Sequence, residues 1–195
     1  MTNLLDTRLS IAEAAFVADM PERAVQHEID ARVLPARGDT RQRIVSGADV
    51  VYLELIRDIR AELGLKLRQQ MHSTIISALS ADLAVATVAT LGIRVKDLAE
   101  EVNRKLQALY RVTHDAIESK PTVLAGEPVI RGTRVPARLI VDLIKQGASR
   151  QEIEDDYDLT PEQIDAAIVF DRVTPRRGRP ATRKLKIKQH VPAAR

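Results

Sequence analysis

Apolar residues along this chain recur mainly at helical spacing, broken by short alternating stretches. In LSIAEAAFVADM, Ile11, Ala14, Ala15 and Ala18 fall at i, i+3, i+4 and i+7, one face of a short helix. Ser10 and Glu13 precede that face as an S-x-x-E capping box. Pro21 suits the first turn of a second helix. Val25, Ile29 and Val33 line its inner face, while Arg23, Gln26, His27, Asp30 and Arg32 point elsewhere. Two short helices at a tight turn, the second with a polar outer face, predict a helix-turn-helix. Gly38-Asp39 is a turn signal and Arg43-Ile44-Val45 a short strand, together a hairpin wing carrying Arg41 and Arg43. Ser46 with Asp49 then caps an amphipathic helix expected to run to Gly64.

Periodicity is weaker in the middle. KLRQQMHSTIISALS reads as helix, and LAVATVATLGIRV has the β-branched alternation of one or two strands. Asp97 is placed to cap a helix through Tyr110, with Leu98, Val102, Leu106 and Leu109 as its stripe.

Further on, Val129-Ile130-Arg131 and Arg134-Val135 flank Gly132-Thr133, a strand with a kink or tight bend. Pro136 stops the strand and opens a helix faced by Leu139, Ile140, Leu143 and Ile144, closed by Gly147. Ser149 with Glu152, and Thr160-Pro161-Glu162-Gln163, are two more capping boxes. Ile164, Ala167, Ile168 and Asp171 follow at helical spacing.

The fold class is therefore mainly α with short β-hairpins (α+β). The expected divisions are a winged helix-turn-helix over 1–64 and an α/β connector or dimerisation layer over 65–115. A three-helix module over 116–173 and a basic tail over 174–195 complete them.

Composition narrows the chemistry. Hydrophobic residues make up 45% but aromatics only 3%, so the core must be built from Leu, Ile, Val and Ala. With no cysteine, disulfides, thiolate metal sites and cysteine nucleophiles are excluded. Asp6 and Glu13 interrupt the N-terminus and no apolar run reaches a membrane span, so a cytoplasmic protein is expected. His27, His72, His114 and His190 lie far apart without carboxylates at ligand spacing. The acidic run Glu152, Glu154, Asp155, Asp156, Asp158 lacks the glycine and alternate oxygens of a calcium loop. No serine sits in a G-x-S-x-G or S-x-x-K pattern. The expectation is a protein without catalysis, metal or cofactor.

The net charge of +3 hides an asymmetry. Arg172 to Arg195 holds nine Lys or Arg and no acid, leaving 21 basic and 27 acidic residues elsewhere. A basic tail on an acidic body suits an anionic partner, and its prolines and sparse apolar content predict disorder in isolation. Within it, Arg176-Arg177-Gly178-Arg179-Pro180 matches an AT-hook core, whose arginines enter the minor groove of A·T-rich DNA.

Two resemblances sharpen these readings. Ser10–Ala15, Leu34–Arg37, Thr40–Val45 and Ser46–Val50 resemble the N-terminal winged helix of MerR-type regulators over roughly 55 residues, as aligned by the N-cap, loop, wing and second-cap signals. That resemblance implies base contacts by Arg23, Gln26, His27 and Arg32, with Arg41 and Arg43 of the wing on phosphates. Val25 and Gln26 stand where those regulators carry aromatics, and no metal- or drug-sensing segment follows.

Gly126–Pro136 and Asp158–Ala167 resemble the opening and closing motifs of the domain-of-unknown-function 433 family. Many of its members look like antitoxins paired with PIN-type ribonucleases. The combined arrangement resembles a VapB-type antitoxin. It implies a homodimer or larger hetero-oligomer that neutralises a PIN-type (VapC-like) ribonuclease toxin and represses its own operon through operator DNA.

The resemblance also implies a partner motif of Arg131, Gly132, Thr133, Arg134 and Pro136, in which Arg134 is expected to brace the strand-to-helix corner. Arg131 suits bracing and partner contact equally. The tail cations Arg176, Arg177, Arg179, Arg183 and Lys184 fit the toxin's acidic cleft, nucleic acid, or a merely solubilising role. The alternative function is a stand-alone helix-turn-helix transcriptional regulator without a toxin partner.

Overall fold

The computed structural model describes residues 4–39 and 42–174. Strand β1 (Arg8–Ser10) leads directly into α1 (Ile11–Val17), and α2 spans Glu22–Asp30. Strands β2 (Arg37–Asp39) and β3 (Gln42–Ser46) form the expected wing. β1, which the sequence pattern hid inside the first helix start, adds a third strand in the order β1-β3-β2, all antiparallel.

Helix α3 (Gly47–Ile56) is shorter than its periodicity predicts. It does not run to Gly64, which instead begins the next helix. The chain breaks at Arg57 and makes a 3₁₀ turn over Arg60–Glu62, which lets Arg60 fold back onto α2. Next come α4 (Leu65–Ser80), the hairpin β4 (Ala86–Val88) and β5 (Leu91–Ile93), and α5 (Val95–Tyr110). Asp97 does not cap α5. The N-cap is Arg94, and Asp97, three residues on, pairs with its guanidinium at 3.2 Å. A π-helical turn, Arg111–Asp115, extends α5.

Elements from β1 to α5 share one aliphatic core, in which Val25, Ile29, Val45, Leu53, Ile56, Ile75, Val102 and Leu106 are buried. Position 64 is therefore not a break in packing. The second core begins at β6 (Ile117–Glu118), which pairs antiparallel with β7 (Val129–Ile130). β6 has only two residues, paired with residues 13 and 11 positions away, too little local pattern to read from sequence. Helices α6 (Ala137–Lys145), α7 (Arg150–Tyr157) and α8 (Pro161–Val173) close over the hairpin and bury Ile130, Ile140, Ile153, Ile164 and Ala167. Val173 crosses to the first core, so α8 joins the two.

All four expected capping boxes form, at Ser10/Glu13, Ser46/Asp49, Ser149/Glu152 and Thr160/Gln163. Each satisfies two otherwise orphaned amides at a helix start. Among the described residues, no helix is long and apolar enough to cross a membrane.

Candidate nucleic-acid interface

The front surface is built by three elements meeting at one place. α1 ends at Ala18, Asp19 takes a left-handed φ of 49°, and the Met20 amide returns to the Ala15 carbonyl at 2.9 Å. Asp tolerates that conformation, so the turn is tight and α2 starts immediately. Pro21 serves as its N-cap rather than its first helical residue, with extended backbone.

On α2, Arg23, Gln26 and His27 stand one turn apart and share a face. Arg23 and His27 are exposed, Gln26 half-buried. Arg23 has no hydrogen-bond or ion partner among the described residues. Gln26 Nε2 donates to Asp30 at 3.0 Å, and Arg43 of the wing donates to the same carboxylate oxygen at 2.6 Å. Asp30 thus ties α2 to the wing. The Arg43–Asp30 pair is 35% and 57% exposed on its two sides, so it contributes no more than about 1 kcal/mol. Arg32 lies beyond the helix in a left-handed turn, exposed and apart from this cluster. Arg41 lies outside the described residues.

Sequence reading missed the groups that hold this surface in place. Glu28, on the inner face of α2, is fully buried. It accepts hydrogen bonds from Arg60 Nε at 2.6 Å and Tyr52 Oη at 3.1 Å, and it pairs with Arg68 of α4. Arg60 also donates to His27 Nδ1 at 2.7 Å, leaving Nε2 of that ring to carry the proton. Burial pushes the Tyr52 hydroxyl far above the ordinary tyrosine range, with the Glu28 charge adding to the shift, so it remains a donor.

A second buried carboxylate, Asp49, accepts from the Ser46 amide and hydroxyl at 2.7 and 2.8 Å. It also bonds His72 Nε2 of α4 at 2.8 Å and pairs with Arg37 at the start of the wing. Burial works to raise the pKa of Asp49. The bonds from His72 and Ser46 and the Arg37 charge outweigh it and hold the carboxyl below its usual range. The signal for these residues was present: Glu28 falls three after Val25 and beside Ile29, a carboxylate inside an apolar stripe.

The R-G-T-R turn of the rear module reads differently. The Ile130 carbonyl accepts from the Thr133 amide at 3.0 Å and from its hydroxyl at 2.9 Å. The same hydroxyl accepts from the Val135 amide at 3.0 Å, and Gly132 supplies a φ of 78°. Bracing falls to Arg131, not Arg134. Arg131 Nε and a terminal nitrogen donate to the Asp115 and His114 carbonyls at 2.5 and 2.6 Å, capping the end of the α5 extension. Arg134 is exposed and unpaired among the described residues, because its side chain leaves the turn on the solvent side. Pro136 is the N-cap of α6. The tail residues Arg176, Arg177, Arg179, Arg183 and Lys184 lie outside the described residues.

Among the described residues no group of His, Asp or Glu is arranged to hold a metal ion. Residues 117–170 match the family model described as "Protein of unknown function (DUF433)". The match begins at β6 and ends within α8, the same span as the second core. No curated protein matches the chain. The X-ray crystal structure of Rv2018 from Mycobacterium tuberculosis aligns at 18% identity and a TM-score of 0.35, over 85% of this chain and 97% of that chain.

Proposed function

We propose that the protein is an operator-binding antitoxin, with a front body that reads duplex DNA and a DUF433 module and tail that engage a PIN-type ribonuclease. The observation that carries the DNA part is the tie through Asp30. One carboxylate holds Gln26 of α2 and Arg43 of the wing together, while Glu28 and Asp49 anchor the same two elements from inside. A helix that enters the major groove and a wing that grips phosphates must keep a fixed relation, and this arrangement keeps it.

In this reading Arg23 and Gln26 face base edges and Arg43 exchanges Asp30 for a phosphate. A single short recognition helix reads a half-site, so the operator is read by a dimer. The ribonuclease partner rests on the resemblance of the rear motifs. The exposed Arg134 beside the rigid turn is the cation offered to it.

Two experiments test the two parts separately. Footprinting on the DNA upstream of the gene should show protection that the double variant R23A/Q26A loses, at about 1–3 kcal/mol per lost base contact. An unchanged footprint would remove α2 from the interface. Co-expression with the adjacent gene should give a co-purifying complex and rescue growth. Absence of both would leave the stand-alone regulator.

A further inference from the structure

The place where α8 packs on the first core holds an opening that neither the DNA-facing surface nor the R-G-T-R turn uses. A cavity of about 440 Å³ lies among α1, α5 and α8. That volume falls within the ~300–1,000 Å³ of small-molecule sites. Its walls are apolar, with Phe16 and Val17 from α1, Leu109 from α5 and Val169 from α8.

Its charged lining is lopsided: Arg57, Lys105 and Arg172 against the single carboxylate Asp19. Two of these cations are answered by carboxylates. Arg57 and Lys105 share Glu54 Oε1 at 3.2 and 2.8 Å, and Arg57 also pairs with Asp58. Arg172 is not. Its guanidinium sits 5.0 Å from the centre of the Phe16 ring, with no carboxylate partner among the described residues.

We propose that this cavity binds a small amphipathic carboxylate, with its apolar body against Phe16, Leu109 and Val169 and its acid group on Arg172. An apolar wall next to an unanswered guanidinium suits a ligand having both characters: a wholly apolar molecule leaves the cation unused, and a wholly polar one leaves the wall wet. Asp19 and the Glu54 carboxylate behind Arg57 and Lys105 disfavour a second acid group, so the ligand is a monoanion. The position gives binding a consequence. α1 runs through one tight turn into α2, and α8 closes the rear module, so an occupant clamps α8 against α1 and α5 of the first core. The inference stands apart from the DNA and toxin readings and needs neither.

Calorimetric titration of the full chain tests it, with 4-phenylbutyrate as probe and the uncharged 4-phenylbutanamide as control. The acid should saturate one site per chain, and the amide should bind about tenfold more weakly. Arg172→Gln should cost the acid a similar factor and leave the amide unchanged. Ala108→Trp, placed where an exposed α5 residue lines the cavity, should remove binding of both while the thermal transition stays cooperative. No saturation by the acid, equal binding of acid and amide, or binding that survives both variants would each overturn the proposal.

Discussion

The front body and the rear module are of similar helical make-up but are held in different ways. Every buried polar or charged side chain among the described residues lies between Thr7 and Arg68: Thr7, Glu28, Ser46, Asp49 and Arg68. The rear module buries aliphatic side chains alone and takes its polar order from caps at its surface. Aliphatic burial is strong but non-directional, enough to hold a shape. Buried hydrogen-bonded charges are directional, because a geometry that unpairs one of them is costly. In the front these bonds join α2, the wing, α3 and α4 to one another.

The largest expected effect tests this contrast at its centre. Glu28→Ala leaves Arg60 and Arg68 facing an empty site and should cost about 3–5 kcal/mol in chemical denaturation. A loss under about 1 kcal/mol would mean the buried charges are incidental. In the rear, Ile140→Ala should cost about 3 kcal/mol by cavity formation, read as faster amide exchange from β6 to α8. DNA affinity should not change. A fall in DNA affinity would mean that the two regions are not separately held.

Asp49→Asn should cost about 1–3 kcal/mol near neutral pH, since a charged acceptor of several bonds is lost. The folded-state pKa of Asp49 is depressed, so the stability it contributes is present above the ordinary aspartate value of about 4 and disappears as pH falls through the lower, folded value. The wild type and Asp49→Asn should therefore converge in acid; a constant difference down to pH 2 would contradict the assignment. Smallest is Ser149→Ala, which removes one capping box and should cost about 1 kcal/mol in the rear module alone.

How much of this was legible in the sequence divides along the same line. Caps, turns and apolar stripes are local, so the four boxes, the wing and most helices could be read directly. Long-range groups could not. β1 and β6 are too short to show a period without their partners β3 and β7. The early end of α3 depends on Arg60 reaching Glu28, 32 residues away. In the R-G-T-R motif the types of residue were readable but not their roles. Which arginine braces depends on where the His114 and Asp115 carbonyls lie, and that is set by the π-helical end of α5.

The central claim is that the α2–wing surface reads DNA sequence. Its most direct test is anisotropy titration of the full chain, at one fixed salt concentration, against the upstream duplex and a scrambled duplex of equal length. The account predicts an affinity for the upstream duplex at least ~10³ greater, reduced toward the scrambled level by R23A/Q26A. Equal affinity for both duplexes, unaltered by that double variant, would contradict it.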